Sequence, residues 1–228
     1  MCDEKINCPH GSSLNLKKNG KTRNKKRKYQ CHDCGRQFIT RYSYQGCRPE
    51  VHSLILKMTL NSSGIRDIRR VLSIATNTML KAIGQAAEKL PLLRPPIKAQ
   101  TVEPDEFWSF VGAKKNQRWT WLGLTGSTRR SGAVVHGRRT GANCRKLLEK
   151  YQNSRIEKFA SDDWQSYQKC VPAGRHYIGK DKTQRIERKN LNFRIHLKRL
   201  GRKTIAFLKN EKMHDAMLNL YIQHGNFL

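Results

Sequence analysis

Between residues 49 and 90, apolar side chains recur every three or four positions, the period of a helix with one buried face. Pro49-Glu50 opens the first such stretch, with proline in an early position, and Val51, Leu54, Ile55 and Met58 form its stripe. Asn61-Ser62-Ser63-Gly64 ends it and caps a second helix carrying Ile65, Ile68, Val71 and Leu72. Ser73 or Thr76 is placed to cap a third, with Met79, Leu80, Ile83 and Ala87 turned inward. Two short helices and a third behind a tight turn make a helix–turn–helix, in which Asn77, Thr78, Lys81 and Gln85 face base edges or phosphates. The plainer reading of the same pattern is a three-helix bundle.

From residue 97 onward the pattern alternates between strand-like and helix-like pieces. Residues 102–112, 118–124 and 132–137 read as strands, 142–151 as a helix, and 156–164 as a fourth strand ending on Asp162-Asp163. A long basic helix opens at Thr183. Ile186, Phe193, Leu197 and Leu200 share its inner face, and Glu187 stands on the next stripe with Leu191, Arg194 and Lys198. Between the two regions lies Pro91-Leu92-Leu93-Arg94-Pro95-Pro96, whose prolines stop a helix and favour an extended connector. No internal repeat is visible. The organisation expected is a module over 1–48, a helix–turn–helix over 49–90, a proline-rich linker over 91–98 and a mixed α/β domain over 99–228.

Charge changes the picture more than size does. The chain of 228 residues carries 46 Lys and Arg against 17 Asp and Glu, a formal charge of +29. So large an excess repels itself and calls for a polyanion; double-stranded DNA is the first expectation and an anionic membrane surface the second. No apolar run is long enough for a membrane span, and no apolar stretch follows Met1-Cys2-Asp3-Glu4-Lys5 to make a secretion signal. Lys17 to Lys28 holds eight cations in twelve residues with no acid. Lys25, Lys26, Arg27 and Lys28 close that run, which reads as a hairpin gripping phosphates rather than a solvated loop.

Five of the seven cysteines lie in residues 1–48. Without a secretion signal they suggest metal binding in a reducing compartment. Cys31-His32-Asp33-Cys34-Gly35-Arg36-Gln37-Phe38 is a Cys-x-x-Cys turn relieved by glycine, the local geometry of a tetrahedral Zn²⁺ site. Its partner upstream is Cys8-Pro9-His10-Gly11, where a second cysteine is missing, as if one residue had been lost after His10. His10 or Cys2 is then the fourth ligand. A set of free cysteines is the alternative.

Acids are scarce in the last segment, so each carries information. Asp105 lies on the first strand, Asp162 at the end of the fourth, Glu187 on the basic helix. Strand ends and a following helix can converge at one edge of a sheet. Three carboxylates brought together repel unless a cation neutralises them, and oxygen-only ligands favour two Mg²⁺ or Mn²⁺ ions, which clamp the attacking and leaving oxygens of a phosphodiester. On spacing alone, Asp162 could instead be a helix cap and Glu187 a salt-bridge partner.

Asp105-Glu106-x-Trp108-Ser109-Phe110-Val111-Gly112, Ser161-Asp162-x-Trp164-x-x-Tyr167 and Gln184-Arg185-Ile186-Glu187-Arg188-x-Asn190-Leu191-Asn192 resemble the catalytic core of the bacterial transposases of the IS-one insertion-sequence family in their fused form. The cysteine knuckle and helix–turn–helix resemble the family's N-terminal DNA-binding part, so the likeness covers nearly the whole chain. It implies an RNase H-like core, a mixed sheet flanked by helices, with an Asp-Asp-Glu triad at Asp105, Asp162 and Glu187. It also implies binding to terminal inverted repeats and to target DNA, strand cleavage and transfer, and a cytoplasmic, nucleoid-associated protein. Lys189, Arg194 and Lys198 would hold phosphates. Joining two ends implies a homo-oligomer on DNA. Two features depart from the family: Gly11 breaks its Cys-Pro-x-Cys knuckle, and Leu124-Thr125-Gly126 replaces an Asp often found after the tryptophan-rich strand. A non-enzymatic zinc-ribbon and helix–turn–helix repressor is the rival, alongside a decayed transposase copy; the repressor would need only residues 1–90, and the triad with its aromatics speaks against it.

Overall fold

The computed structural model describes residues 6–40, 44–179, 181, 183–201 and 203–225. They form two compact units divided after Cys47. The first is an antiparallel meander of β1 (Leu16–Lys21), β2 (Arg27–Cys31) and β3 (Gln37–Ile39). The basic run folds as the expected hairpin, with Lys25 at its turn in the left-handed region (φ 60). Its core is only Cys8, Cys31 and Phe38, backed by Ile6, Leu16 and Tyr29. A core that small needs a cross-link of some kind to hold it.

The second unit begins with α1 (Pro49–Leu60), α2 (Ile65–Leu72) and α3 (Thr76–Glu88), the three helices expected. Their caps differ from expectation. Ser73 ends α2 in the left-handed conformation (φ 51), and Ala75 is the N-cap of α3 with no side-chain cap. Leu54 and Val71, assigned to the inner stripes, are 44% and 63% exposed. The inward residues Ile55, Ile68, Met79 and Ile83 are fully buried.

The five-stranded sheet follows: β4 (Lys98–Phe110), β5 (Gln117–Thr125), β6 (Ser131–Gly137), β7 (Arg155–Ser161) and β8 (His176–Ile178). In space the order is β6-β5-β4-β7-β8. β4, β5 and β6 pair antiparallel; β7 and β8 join in parallel. That order, with central β4 the longest strand, is the RNase H-like arrangement. Side chains alternate across the pleat. Val102 and Trp121 pack on one face against α4 (Gly141–Glu149) and α5 (Gln165–Cys170). Phe107, Leu122 and Leu124 pack on the other with Ile186 and Phe193 of α6 (Gln184–His196) and Leu218 and Ile222 of α7 (Glu211–His224).

The last helix, α7, has no counterpart in the sequence reading. It is apolar on two sides: Leu218 and Ile222 face the sheet, while Met217 and Leu220 join the cluster of α1–α3. The buried Arg199, its guanidinium pulled down to about 10 by desolvation, donates to Ser63 O (2.9 Å) in the turn after α1. The proline connector lies against this unit: Gln223 donates to Pro91 O (2.7 Å), and Leu93 packs on the sheet cluster.

Candidate active site

β4 carries the site on one of its two faces. Glu103, Asp105 and Phe107 alternate toward α6, and each meets a different turn of it. Glu103, 1% exposed, accepts from the backbone N–H of Ile186 (3.1 Å), one of the unpaired donors at a helix start. Asn190 Nδ2 donates to Asp105 Oδ2 (2.7 Å). Phe107 and Phe193 stack with centroids 5.0 Å apart. Alternate strand residues advance about 6.7 Å and the four helical residues from Ile186 to Asn190 about 6 Å, so strand and helix stay nearly in step over the first two contacts.

The parallel pairing of β4 and β7 places the second aspartate. Ala99 faces Ile156, Thr101 faces Lys158 and Val102 faces Phe159, a constant offset of 57 residues. β7 ends at Ser161, which leaves Asp162 as the first residue past the strand, near enough to Asp105 for its charge to raise that carboxyl's pKa. Asp162 Oδ1 accepts from the Trp164 N–H (3.2 Å) and braces the turn before α5, whose N-cap is Trp164 and not Asp162. Trp164 is itself held: the Arg139 guanidinium lies 4.5 Å from its ring centroid and 5.1 Å from that of Trp119. Arg139 is fixed in turn by Glu106 (2.8 Å), which also accepts from Tyr167 OH (2.7 Å).

Glu187 is exposed on α6 and accepts from Thr183 OH (3.0 Å). It lies one turn before Asn190, the residue bonded to Asp105. Among the described residues, the three triad oxygens do not all fall within 4.8 Å of one another; Cys8, Cys31 and Cys34 alone meet that test.

The electrostatics single out Asp105. Burial, then the carboxylates of Glu106 and Asp162, push its carboxyl up to about 7. Its donors are both neutral, the Asn190 amide and the backbone N–H of Glu106. The other end of that amide, Oδ1, is buried with no partner. Oxygen donors, clustered like charge and an orphaned acceptor together fit a hard divalent cation.

The nucleic-acid candidates distribute unevenly. Asn77, Lys81 and Gln85 are exposed along α3, with Thr78 half-buried beside them. Arg194 lies two turns beyond Glu187 on the same stripe, and Lys198 is exposed past the helix end. Lys189 is turned to the opposite flank. Its Nζ donates to Arg129 O (3.1 Å), and with Arg129, Arg185 and Arg188 it lines a cleft of about 560 Å³.

In the first unit, Cys8, Cys31 and Cys34 come together, with Cys8 Sγ and Cys34 Sγ 3.6 Å apart. Tetrahedral Zn²⁺ with bonds of about 2.3 Å sets its sulfurs about 3.8 Å apart, so the three thiols fit. A backbone N–H of Cys34 draws the Cys31 thiol below its ordinary range. His10 is not in the group; its Nδ1 is 3.1 Å from Arg36 Nη1. Cys2 lies outside the described residues.

Residues 99–228 match the family model described as IS1 transposase, and residues 42–85 match the model described as InsA C-terminal domain. The chain belongs to the IS1 transposase family. The insertion element iso-IS1n protein InsB of Shigella dysenteriae is 42% identical over 125 residues, 55% of this chain and 95% of that protein. The insertion element IS1 protein InsB of Shigella flexneri is 40% identical over 120 residues, 53% of this chain and 92% of that one. A weak structural likeness extends to an intasome of simian T-cell lymphotropic virus (TM-score 0.39, 12% identity, 73% of this chain and 66% of that one). The HTLV-2 integrase catalytic core is similar at TM-score 0.36 and 11% identity over 56% of this chain and 86% of that one. As a member, the transposase combines a DDE-type domain for nucleic-acid cleavage and transfer, which uses divalent metal, with a helix–turn–helix DNA-binding region. Among its described residues, no helix is long and apolar enough to cross a membrane.

The sequence reading missed Glu103, Glu106, Arg139 and Asn190 as positioning groups. Asn190 and Tyr167 stood inside the quoted motifs. The partners of Arg139 and Glu103 are set by strand register, which no local signal gives.

Proposed function

We propose that Asp105, Asp162 and Glu187 are the catalytic carboxylates of this transposase, holding two Mg²⁺ or Mn²⁺ ions. The observation that supports this reading is the charge of Asp162 acting on the buried carboxyl of Asp105, with α6 tied to Asp105 through Asn190. Such ions supply positive charge for the scissile phosphate and lower the barrier to deprotonating the attacking oxygen. The chain's part is positional. Asp105 and Asp162 would bind the ions, and Glu187 would complete one site. Asn190 fixes the rotamer of Asp105, and the clamp of Arg139 on Trp164 fixes the turn of Asp162. Hydrolysis frees a 3′-OH at the element end, and that hydroxyl attacks target DNA in line, with no covalent enzyme intermediate.

In this reading the domains divide the labour. Lys25, Lys26, Arg27 and Lys28 of the 1–48 module grip the backbone of the terminal inverted repeats. Asn77, Thr78 and Lys81 of the 49–90 helix–turn–helix read bases. Arg194 and Lys198 hold phosphates beside Glu187, and Lys189 does so on the other flank of α6. Residues 91–98 join the reader to the 99–228 catalytic domain, and two ends are joined by a homo-oligomer. The test is cleavage of an end-bearing duplex by Asp105→Asn, Asp162→Asn and Glu187→Gln proteins. Loss of cleavage with retained binding supports the assignment; cutting by all three in Mg²⁺ puts the chemistry on other residues, and a wild type that binds but never cuts leaves the repressor reading in its place.

A further inference from the structure

The two turns that carry the clustered cysteines share one hydrogen-bond plan. In the second, the Cys31 N–H donates to Arg36 O (3.0 Å) and the Gly35 N–H to Cys31 O (2.9 Å), with Gly35 at φ +70. In the first, the Cys8 N–H donates to Ser13 O (2.9 Å) and the Ser12 N–H to Cys8 O (2.8 Å), with Ser12 at φ 53. Every feature matches at an offset of 23 residues: 31 to 8, 36 to 13, 35 to 12. The counterpart of Cys34 is therefore Gly11.

This corrects the view that a residue was lost after His10. A deletion there would bring Gly11 to the left-handed position, the place where glycine costs least. Instead Ser12 takes that conformation, and Gly11 is not among the positive-φ glycines. The turn keeps its full length and only the thiol is gone. A Cβ built at Gly11 meets no heavy atom within 4 Å, so the place is open. His10 does not fill it, being engaged with Arg36.

We propose that Cys8, Cys31 and Cys34 form a three-thiolate divalent-metal site whose fourth coordination position, at Gly11, is open to a small exchangeable donor: water at rest, displaced by a thiol or imidazole. Closed four-ligand zinc is structural; three protein ligands and an open position permit ligand exchange. The inference stands apart from the assignment of the carboxylates.

Cobalt(II) is the probe, added to the full-length protein, because its d–d and thiolate charge-transfer bands report ligand number directly. The wild type should bind one equivalent at this site, and its spectrum should shift on adding 2-mercaptoethanol. Gly11→Cys should raise the charge-transfer intensity by about a third, from three thiolates to four, abolish the shift, and tighten zinc binding tenfold or more. Should Gly11→Cys fold poorly, Gly11→His gives the same loss of the thiol response through a nitrogen donor. A Cys inserted between His10 and Gly11 should restore nothing, because it breaks the offset. Three results overturn the proposal: a wild-type spectrum indifferent to thiol, a changed spectrum in Cys2→Ser, or rescue by the insertion and not by Gly11→Cys.

Discussion

Asp105 and Glu106 are adjacent on one strand and lead opposite lives. Glu106 points to the α4–α5 face, where it meets Arg139 and the Tyr167 hydroxyl. Asp105 points to the α6 face, where its donors are neutral, the Asn190 amide and a backbone N–H, and burial with two further carboxylates raises its pKa to about 7. An acid whose partners are built into the fold is structural. An acid left uncompensated near a second acid awaits a cation from outside. Both carboxyls are pushed upward by burial, so desolvation does not separate them. What separates them is the company each keeps.

The largest test of that contrast is exchange of the acids one at a time. Asp105→Asn, Asp162→Asn and Glu187→Gln should each lower strand cleavage on the order of 10³-fold or more, and pairs should lose little beyond singles. Folding should survive in all three, since none removes a built-in ion pair. Glu106→Ala should do the reverse. It leaves Arg139 and Tyr167 without their acceptor and should cost about 2–4 kcal/mol of stability, read as a lower urea midpoint. Glu106 is thus no neutral control for Asp105, although it does face the other side of the sheet. An unchanged midpoint in Glu106→Ala would erase the contrast.

Asn190 sharpens the comparison at smaller magnitude. Asn190→Ala removes the side-chain donor that orients Asp105 and should slow cleavage about 10- to 100-fold, the usual penalty for losing a group that orients a metal ligand. Its signature is a higher Mg²⁺ requirement. Asn190→Ser should recover part of the loss if the hydrogen bond is what matters; a cavity effect would be recovered by neither variant and would appear as lost stability at saturating metal.

The same pair shows what was legible in the chain. Asp105, Asp162 and Glu187 stood in motifs long enough to be recognised. That they could converge was an expectation from acids at strand ends and on a following helix in a basic domain. Which of Asp105 and Glu106 faces α6 depends on the pleat of β4 against its neighbours, and the sequence does not carry the register. Lys189 lies on the other flank for a plain reason: two residues along a helix from Glu187 is a turn through more than half the circumference. α7 escaped because it is buried on two sides, which leaves no single stripe to read. The three residues of β8 are too few to show alternation. Gly11 was noticed, but only the backbone hydrogen bonds distinguish a replaced ligand from a deleted residue.

Acid titration gives the finest version of the contrast. With metal removed by a chelator, Asp105 has a folded pKa near 7 against an unfolded value of about 3.9. The folded state then holds the proton more tightly, so this group's contribution to stability falls as pH rises from about 4 to 7. Two other groups slope the opposite way. Burial lowers the pKa of His136, so its contribution is present above about 6.5 and fades as pH falls through its folded pKa. Asp215, against the upward push of burial, is held well below the usual carboxylate range by the Arg118 guanidinium (2.8 and 2.5 Å), so its contribution is lost only under more acid conditions, below about pH 4. The wild-type curve mixes all three, but the difference between Asp105→Asn and wild type isolates one. Asp105→Asn should be the more stable protein above pH 7, and its margin should shrink steadily as pH falls toward 4, where the aspartate is protonated in both states and resembles an amide. Thermal melts in chelator at unit pH steps measure it. A margin that does not change with pH would mean that Asp105 has a compensating partner, and the distinction from Glu106 would fall.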